Sequence, residues 1–195
     1  MRKYLSSLLL LCATLTWQSC LHEDTNVFST SAIDRIENAA QATQKTLESA
    51  PNGWLLRYYA GENYTGPAYS ILMKFANGHA TVASDYDPDK VTTAAYSIAK
   101  DQGVVLSFDS YNESIHQFSR VWEGSGARGI EGDYEFLVLS TSADTIRLRG
   151  KKWKNNMELV RVPEKTEWKS YLTSIYNLQE QLTTQFFALQ LGKDT

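Results

Sequence analysis

The sequence predicts a mainly β fold with flanking helices. An antiparallel meander of eight short strands, closed like a barrel or folded as a sandwich, follows one helix and precedes a long one. Three observations carry this. Apolar side chains recur with a period of two between residues 54 and 162. A period of three to four appears on either side, near 31–50 and over 164–190. Asn77-Gly78, the preferred two-residue hairpin turn, separates two alternating runs. At 195 residues, 43% of them hydrophobic and 12% aromatic, the chain suffices for one domain with its own core.

Taken in order, the first helix opens at Ser31, with Asp34 three residues later in an N-terminal capping pattern. Ile33, Ile36, Ala40 and Leu47 share one helical face, and Pro51-Asn52-Gly53 ends the run. Residues 54–60 form the first strand. Tyr69, Ile71, Met73 and Phe75 alternate with Ser70, Leu72, Lys74 and Ala76, and His79 to Ser84 returns after the Asn-Gly turn. Further strands fall at 92–99, at Val104, Leu106 and Phe108 after Asp101-Gln102-Gly103, and at Tyr134, Phe136 and Val138 after a glycine-rich loop. Ile146 and Leu148 follow Ser142-Ala143-Asp144, and Met157 and Leu159 follow Asn155-Asn156. Short connections make neighbouring strands antiparallel. Pro163 and Glu164 suit a helix start, and Trp168, Leu172, Ile175, Leu178, Leu182, Phe186 and Leu189 step along one face.

The N-terminus reads as an export signal over residues 1–19. Arg2 and Lys3 precede an apolar run from Leu5 to Leu15, too short for a stable membrane span, and no acidic residue occurs before Glu23. The run ends in Trp17-Gln18-Ser19-Cys20, a small residue before a cysteine, which resembles the site cleaved by lipoprotein signal peptidase. Cys20 is therefore the expected lipid attachment, residues 20–30 a tether, 31–163 the helix plus β domain, and 164–195 the C-terminal amphipathic helix. Cleavage removes Cys12. It leaves no pair of cysteines for a disulfide and no free thiolate for catalysis or metal binding.

The whole chain has 19 basic and 22 acidic residues; loss of Arg2 and Lys3 leaves 17 basic and a formal net charge of −5. That balance argues against nucleic acid as a partner. The one basic cluster, Lys151-Lys152-Trp153-Lys154, reads as a solvated turn.

Most catalytic signatures fail on context. Gly124-Ser-Gly126-Ala-Arg-Gly129 has the letters of a dinucleotide loop, but a strand rather than a helix follows it. Asp85-Tyr-Asp87-Pro-Asp89 has calcium-like spacing without the glycine and glutamate of an EF-hand loop, so it reads as an acidic hairpin turn. Neither H-E-x-x-H nor G-x-S-x-G occurs. No cofactor and no metal is expected. The run Asp109 to His116 mixes a carboxylate, a phenol and an imidazole after a strand, and its favoured reading is a short helix capping one barrel end. If a ligand site exists, it is expected at that strand-end rim, using Tyr111, His116 and Trp122, because aromatics beside polar groups suit sugar or peptide contacts.

Five stretches carry a wider resemblance: Cys20-Leu-His-Glu-Asp, Ser49-Ala-Pro-Asn-Gly-Trp54, Asp101-Gln-Gly-Val-Val-Leu-Ser-Phe-Asp109 with Tyr111-Asn112, Gly132-Asp-Tyr-Glu-Phe136 and Gly150-Lys-Lys152. In their order and spacing the chain resembles the Bacteroidota lipoprotein family defined by domain of unknown function 4302. Glu23 and Asp24 behind Cys20 also resemble an acidic surface-export signal. The resemblance implies an outer-membrane, surface-exposed lipoprotein partnered with outer-membrane transporter proteins for nutrient uptake, and supplies no catalytic residue. The expected role is a non-catalytic binding or accessory module with a small-molecule, glycan or peptide ligand. The alternative is an extracellular hydrolase of glycan or peptide.

Overall fold

The computed structural model describes residues 30–101, 103–121, 124 and 126–184. Cys20, Trp122, Phe186 and Leu189 lie outside the described residues. The chain divides into two units, Met1–Asp34 and Arg35–Thr195. Within the first, the Asp34 N–H donates to Ser31 Oγ at 3.1 Å, the expected cap. Ile33 is exposed, so the apolar stripe of the first helix starts later than its spacing suggests.

Helix α1 spans Ala32–Glu48. Eight strands follow: β1 (Trp54–Tyr59), β2 (Ala68–Ala76), β3 (His79–Ser84), β4 (Asp87–Lys100), β5 (Val104–Phe108), β6 (Glu135–Thr141), β7 (Thr145–Gly150) and β8 (Asn156–Arg161). Each pairs with the next, and β1 pairs antiparallel with β8, so the meander is a closed barrel rather than a sandwich. Closure removes every unpaired edge. The period-two pattern sends Trp54, Leu56 and Tyr58 of β1, and Ile71, Met73 and Phe75 of β2, into a core shared with Phe108, Phe136, Leu148 and Leu159.

Both mouths are plugged. At one, the Trp54 indole N–H donates to the Leu47 carbonyl at 2.8 Å and Tyr96 Oη donates to Glu48 at 2.8 Å, which fastens the end of α1 to the barrel. Thr43 meets Thr141 across 3.1 Å, and Lys100 pairs with Glu37. At the other mouth, the short helix α2 (Glu113–His116) and a 3-10 turn (Gln117–Ser119) turn Ile115 and Phe118 into the core. Phe118 stacks on Tyr69 with centroids 4.3 Å apart. The capping role expected of residues 109–116 is thus what the fold gives them.

Three boundaries differ from expectation. The second long helix, α3 (Trp168–Thr184), begins at Trp168 and not at Pro163. The Glu167 carboxylate takes the N–H groups of Lys169 and Ser170 at 3.1 and 2.6 Å. Pro163 to Thr166 instead form a turn whose carbonyls are held by Asn52 Nδ2 at 2.8 and 2.9 Å. β4 starts at Asp87, so only Asp85 and Tyr86 stay in the acidic turn; the register jumps between Ala83 and Ser84, and this irregularity accommodates Pro88. β6 starts at Glu135, which leaves Tyr134 in the connection.

Helix α3 covers one side of the barrel exterior. Leu172, fully buried, packs with Leu72, Ala83 and Val162, flanked by Leu55, Trp168 and Tyr171. Leu178 and Leu182 are 56% and 50% exposed, so the apolar stripe outlasts the surface it docks on. Helix α3 lies mainly against β4 and β2 and reaches the outer face of β1 at Leu55.

Candidate binding site at the tyrosine rim

Antiparallel alternation fixes which connections meet. The segments 60–67, 85–86, 109–121, 126–134 and 151–155 all lie at the mouth plugged by α2. Apart from Tyr176 on α3, the exposed tyrosines of the described residues belong to these segments: Tyr64, Tyr86, Tyr111 and Tyr134. Their phenol rings are the large apolar surface the fold leaves in water at this end.

Tyr111 and His116, both expected at a rim, are brought together with ring centroids 5.4 Å apart. Tyr134 stacks on the same imidazole at 4.6 Å and 28°. Asn112 sets this geometry. Its side-chain oxygen accepts the Ser114 N–H at 2.9 Å as the N-cap of α2, and lies 2.9 Å from Thr92 Oγ1, while its Nδ2 is buried without a partner. His116 Nδ1 lies 3.0 Å from the Asn112 backbone nitrogen and 3.2 Å from the Asn112 carbonyl oxygen, and burial holds the imidazole below its ordinary pKa.

A cleft of about 250 Å³ opens beside this stack, lined by Tyr69, Tyr86, Gln117, Phe118, Arg120 and Ile130. Tyr86 stands edge-on to both Tyr69 and Phe118, each at 6.2 Å. Next to Tyr86, the buried Asp85 carboxylate accepts the Ser70 N–H at 2.9 Å and the Gln179 amide at 3.3 Å, and burial pushes its carboxyl up. Tyr86 and Tyr134 were not among the residues the sequence singled out. Tyr86 was hidden by the acidic letters around it, and Tyr134 by its place at the head of an alternating run. Their signal was a tyrosine abutting a strand end.

Chemically, the rim offers ring faces, one neutral imidazole, an amide and a guanidinium. These groups stack and hydrogen-bond; a nucleophile activated by a neighbouring base is not among the contacts seen at the rim. Among the described residues no three His, Cys, Asp or Glu side chains converge as metal ligands. The basic cluster Lys151–Lys154 is the turn between β7 and β8. Asp133, itself buried, accepts the N–H groups of Lys152 at 2.7 Å and Trp153 at 3.1 Å, which joins Gly132–Phe136 to Gly150–Lys152. A family model described as Domain of unknown function (DUF4302) matches residues 24–194, nearly the whole chain. The chain belongs to the DUF4302 family. In this DUF4302 barrel the stretch Ser49–Trp54 also has a structural task, because Asn52 ties the α1–β1 turn to the segment leading into α3. Neither a curated protein nor a solved structure matches the sequence.

Proposed function

We propose that this DUF4302 chain is a lipid-anchored, surface-exposed and non-catalytic binding or accessory module of an outer-membrane nutrient-uptake system. A glycan or peptide is taken at the rim formed by Tyr86, Tyr111 and Tyr134. The observation that carries the binding role is the gathering of exposed tyrosines at one mouth of a closed, plugged barrel. Rigid aromatic rings beside Gln117, Arg120 and His116 give stacking area at little entropic cost, and the barrel holds them in place. The membrane role draws its support from the signal layout ending at Ser19-Cys20.

Two measurements test this reading. Mass spectrometry of the mature N-terminus is expected to show acylated Cys20, with Cys20→Ala releasing the protein from membranes; an unmodified N-terminus at another residue overturns the anchor. Titration of the mature protein against neutral oligosaccharides and short peptides is expected to shift the Tyr86, Tyr111 and Tyr134 ring resonances. Binding that leaves those rings untouched overturns the rim.

A further inference from the structure

The barrel exterior along β1, β8 and β7 carries a second concave surface, which shares no lining residue with the cleft at Tyr86. It is a cleft of about 550 Å³ whose lining includes Arg57, Tyr59, Tyr64, Leu139, Arg147 and Glu158. Strand register builds its floor. Glu158 of β8 is paired directly with Arg57 of β1 on one side and Arg147 of β7 on the other, and all three point outward. The row is therefore Arg-Glu-Arg, two guanidiniums to one carboxylate. Their contacts to Glu158 are single and long, 3.5 Å from Arg57 and 3.8 Å from Arg147; both guanidiniums are largely in water and Glu158 is partly buried. A guanidinium saturated by a carboxylate makes two parallel bonds below about 3 Å. Here neither arginine does, and one positive charge of the row has no counter-charge within it.

The walls are built with equal specificity. Leu139 sits where the β6–β7 register slips, between Val138 and Ser140, and the irregularity leaves it exposed on one rim. On the other rim Tyr64 stands edge-on to Tyr59 at 5.7 Å. Tyr64 reaches that place through two consecutive left-handed residues, Asn63 at φ 54° and Tyr64 at φ 61°, a conformation L-residues rarely adopt in succession. Its hydroxyl accepts the Asn156 N–H at 2.9 Å, and Asn155 Oδ1 accepts the Tyr64 N–H at 3.3 Å, so the ring is pinned with half its surface exposed.

We infer that this cleft binds a carboxylate-bearing sugar, with the Arg57 and Arg147 guanidiniums on the carboxylate and the Tyr59–Tyr64 wall against the pyranose ring. The Arg-Glu-Arg row carries two guanidiniums to one carboxylate and so a net positive charge. The tyrosine wall favours a ring with an apolar face over an extended acidic peptide, and Glu158 is left to accept from sugar hydroxyls. The volume accommodates one or two sugar units. This surface is independent of the tyrosine rim, so the two readings stand or fall separately.

The test is a calorimetric and NMR titration of the mature protein with a tetramer of galacturonic acid, a neutral galactose tetramer and a tetraglutamate peptide. The acidic sugar is expected to bind, to weaken with rising salt, and to shift Tyr64 and the amides of β1, β7 and β8. Arg57→Gln and Arg147→Gln are each expected to lower its affinity at least tenfold with unchanged melting temperature. Any of four results overturns the inference: equal binding of the neutral tetramer, binding of the peptide in preference to the sugar, no binding of the acidic sugar, or undiminished affinity in both arginine variants.

Discussion

Tyr134 lies over His116 with ring centroids 4.6 Å apart, and Tyr111 approaches the same imidazole at 5.4 Å. The three rings come from the two ends of one long connection, so the β5–β6 segment folds back on itself to make them neighbours. Tyr111 is 62% exposed, whereas His116 is half-buried and lies against the Asn112 backbone. For a ligand at this rim, Tyr111→Ala is expected to weaken binding by roughly 0.5–1.5 kcal/mol, the worth of an aromatic contact. Its melting temperature should stay within error of the parent. Calorimetric titration beside a thermal melt checks both; lost stability with unchanged affinity would assign Tyr111 to packing.

The His116 imidazole gives the fold a pH dependence of known sign. Burial lowers its pKa in the folded state relative to the unfolded value near about 6.5. The unfolded chain then binds more protons in the interval between the two values, so stability rises with pH across it. The contribution is fully present above about pH 6.5 and is lost as pH falls toward the folded pKa. Chemical denaturation of wild type and His116→Gln between pH 5 and 8 should show this slope in the first and its absence in the second. An imidazole titrating at or above the unfolded value in NMR would refute the prediction.

Two glycines at positive φ separate backbone strain from steric clash. Gly78, at φ 73° after Asn77 at φ 51°, has nothing within 4 Å of an added Cβ. Gly53, at φ 78°, would place a Cβ 2.5 Å from the Met73 carbonyl oxygen. Gly78→Ala is expected to cost about 1–2 kcal/mol, the conformational term alone. Gly53→Ala is expected to cost roughly 3 kcal/mol or more, because backbone must also move. Urea melts of the two variants rank them; equal costs would refute the argument.

The α3 stripe divides into a docked part and an exposed part. Leu172→Ala is expected to destabilise by about 2–5 kcal/mol, as for other fully buried leucines. Leu178→Ala, at a site 56% exposed, should fall within about 0.5 kcal/mol of wild type. Truncation after Pro163 uncovers Leu72, Ala83 and Val162 and should lower stability or solubility. A truncated barrel that melts unchanged and stays monomeric would show that α3 contributes nothing to it.

Local chemistry was sufficient for the elements. Period-two alternation located all eight strands, Asn77-Gly78 the first tight hairpin, and Ser31 the cap of α1, because each signal is set by backbone sterics within a few residues. The capping role of residues 109–116 was expected from a short mixed polar run after a strand, whereas Asn112 as the N-cap of α2 emerged only in the fold. The start of α3 was not legible, since Pro163 suits a first helical turn locally; what moved it was Asn52, 111 residues away, taking the Pro163 carbonyl into a turn. Tyr111 and His116 were named together because both fall in the run that follows the β5 strand end. Tyr134 joins them by the fold-back of the β5–β6 connection, and Tyr86 reaches the same mouth from the β3–β4 turn through Tyr69 and Phe118. The Arg57–Glu158–Arg147 row depends on closure of the barrel: three residues from three strands become a row only when β1 pairs with β8. The sequence alone therefore determined which segments are strands and helices and which faces they bury, because those preferences act over short distances. Tertiary structure alone decided barrel over sandwich and which side chains share a surface, because strand register and closure depend on packing between residues far apart in the chain.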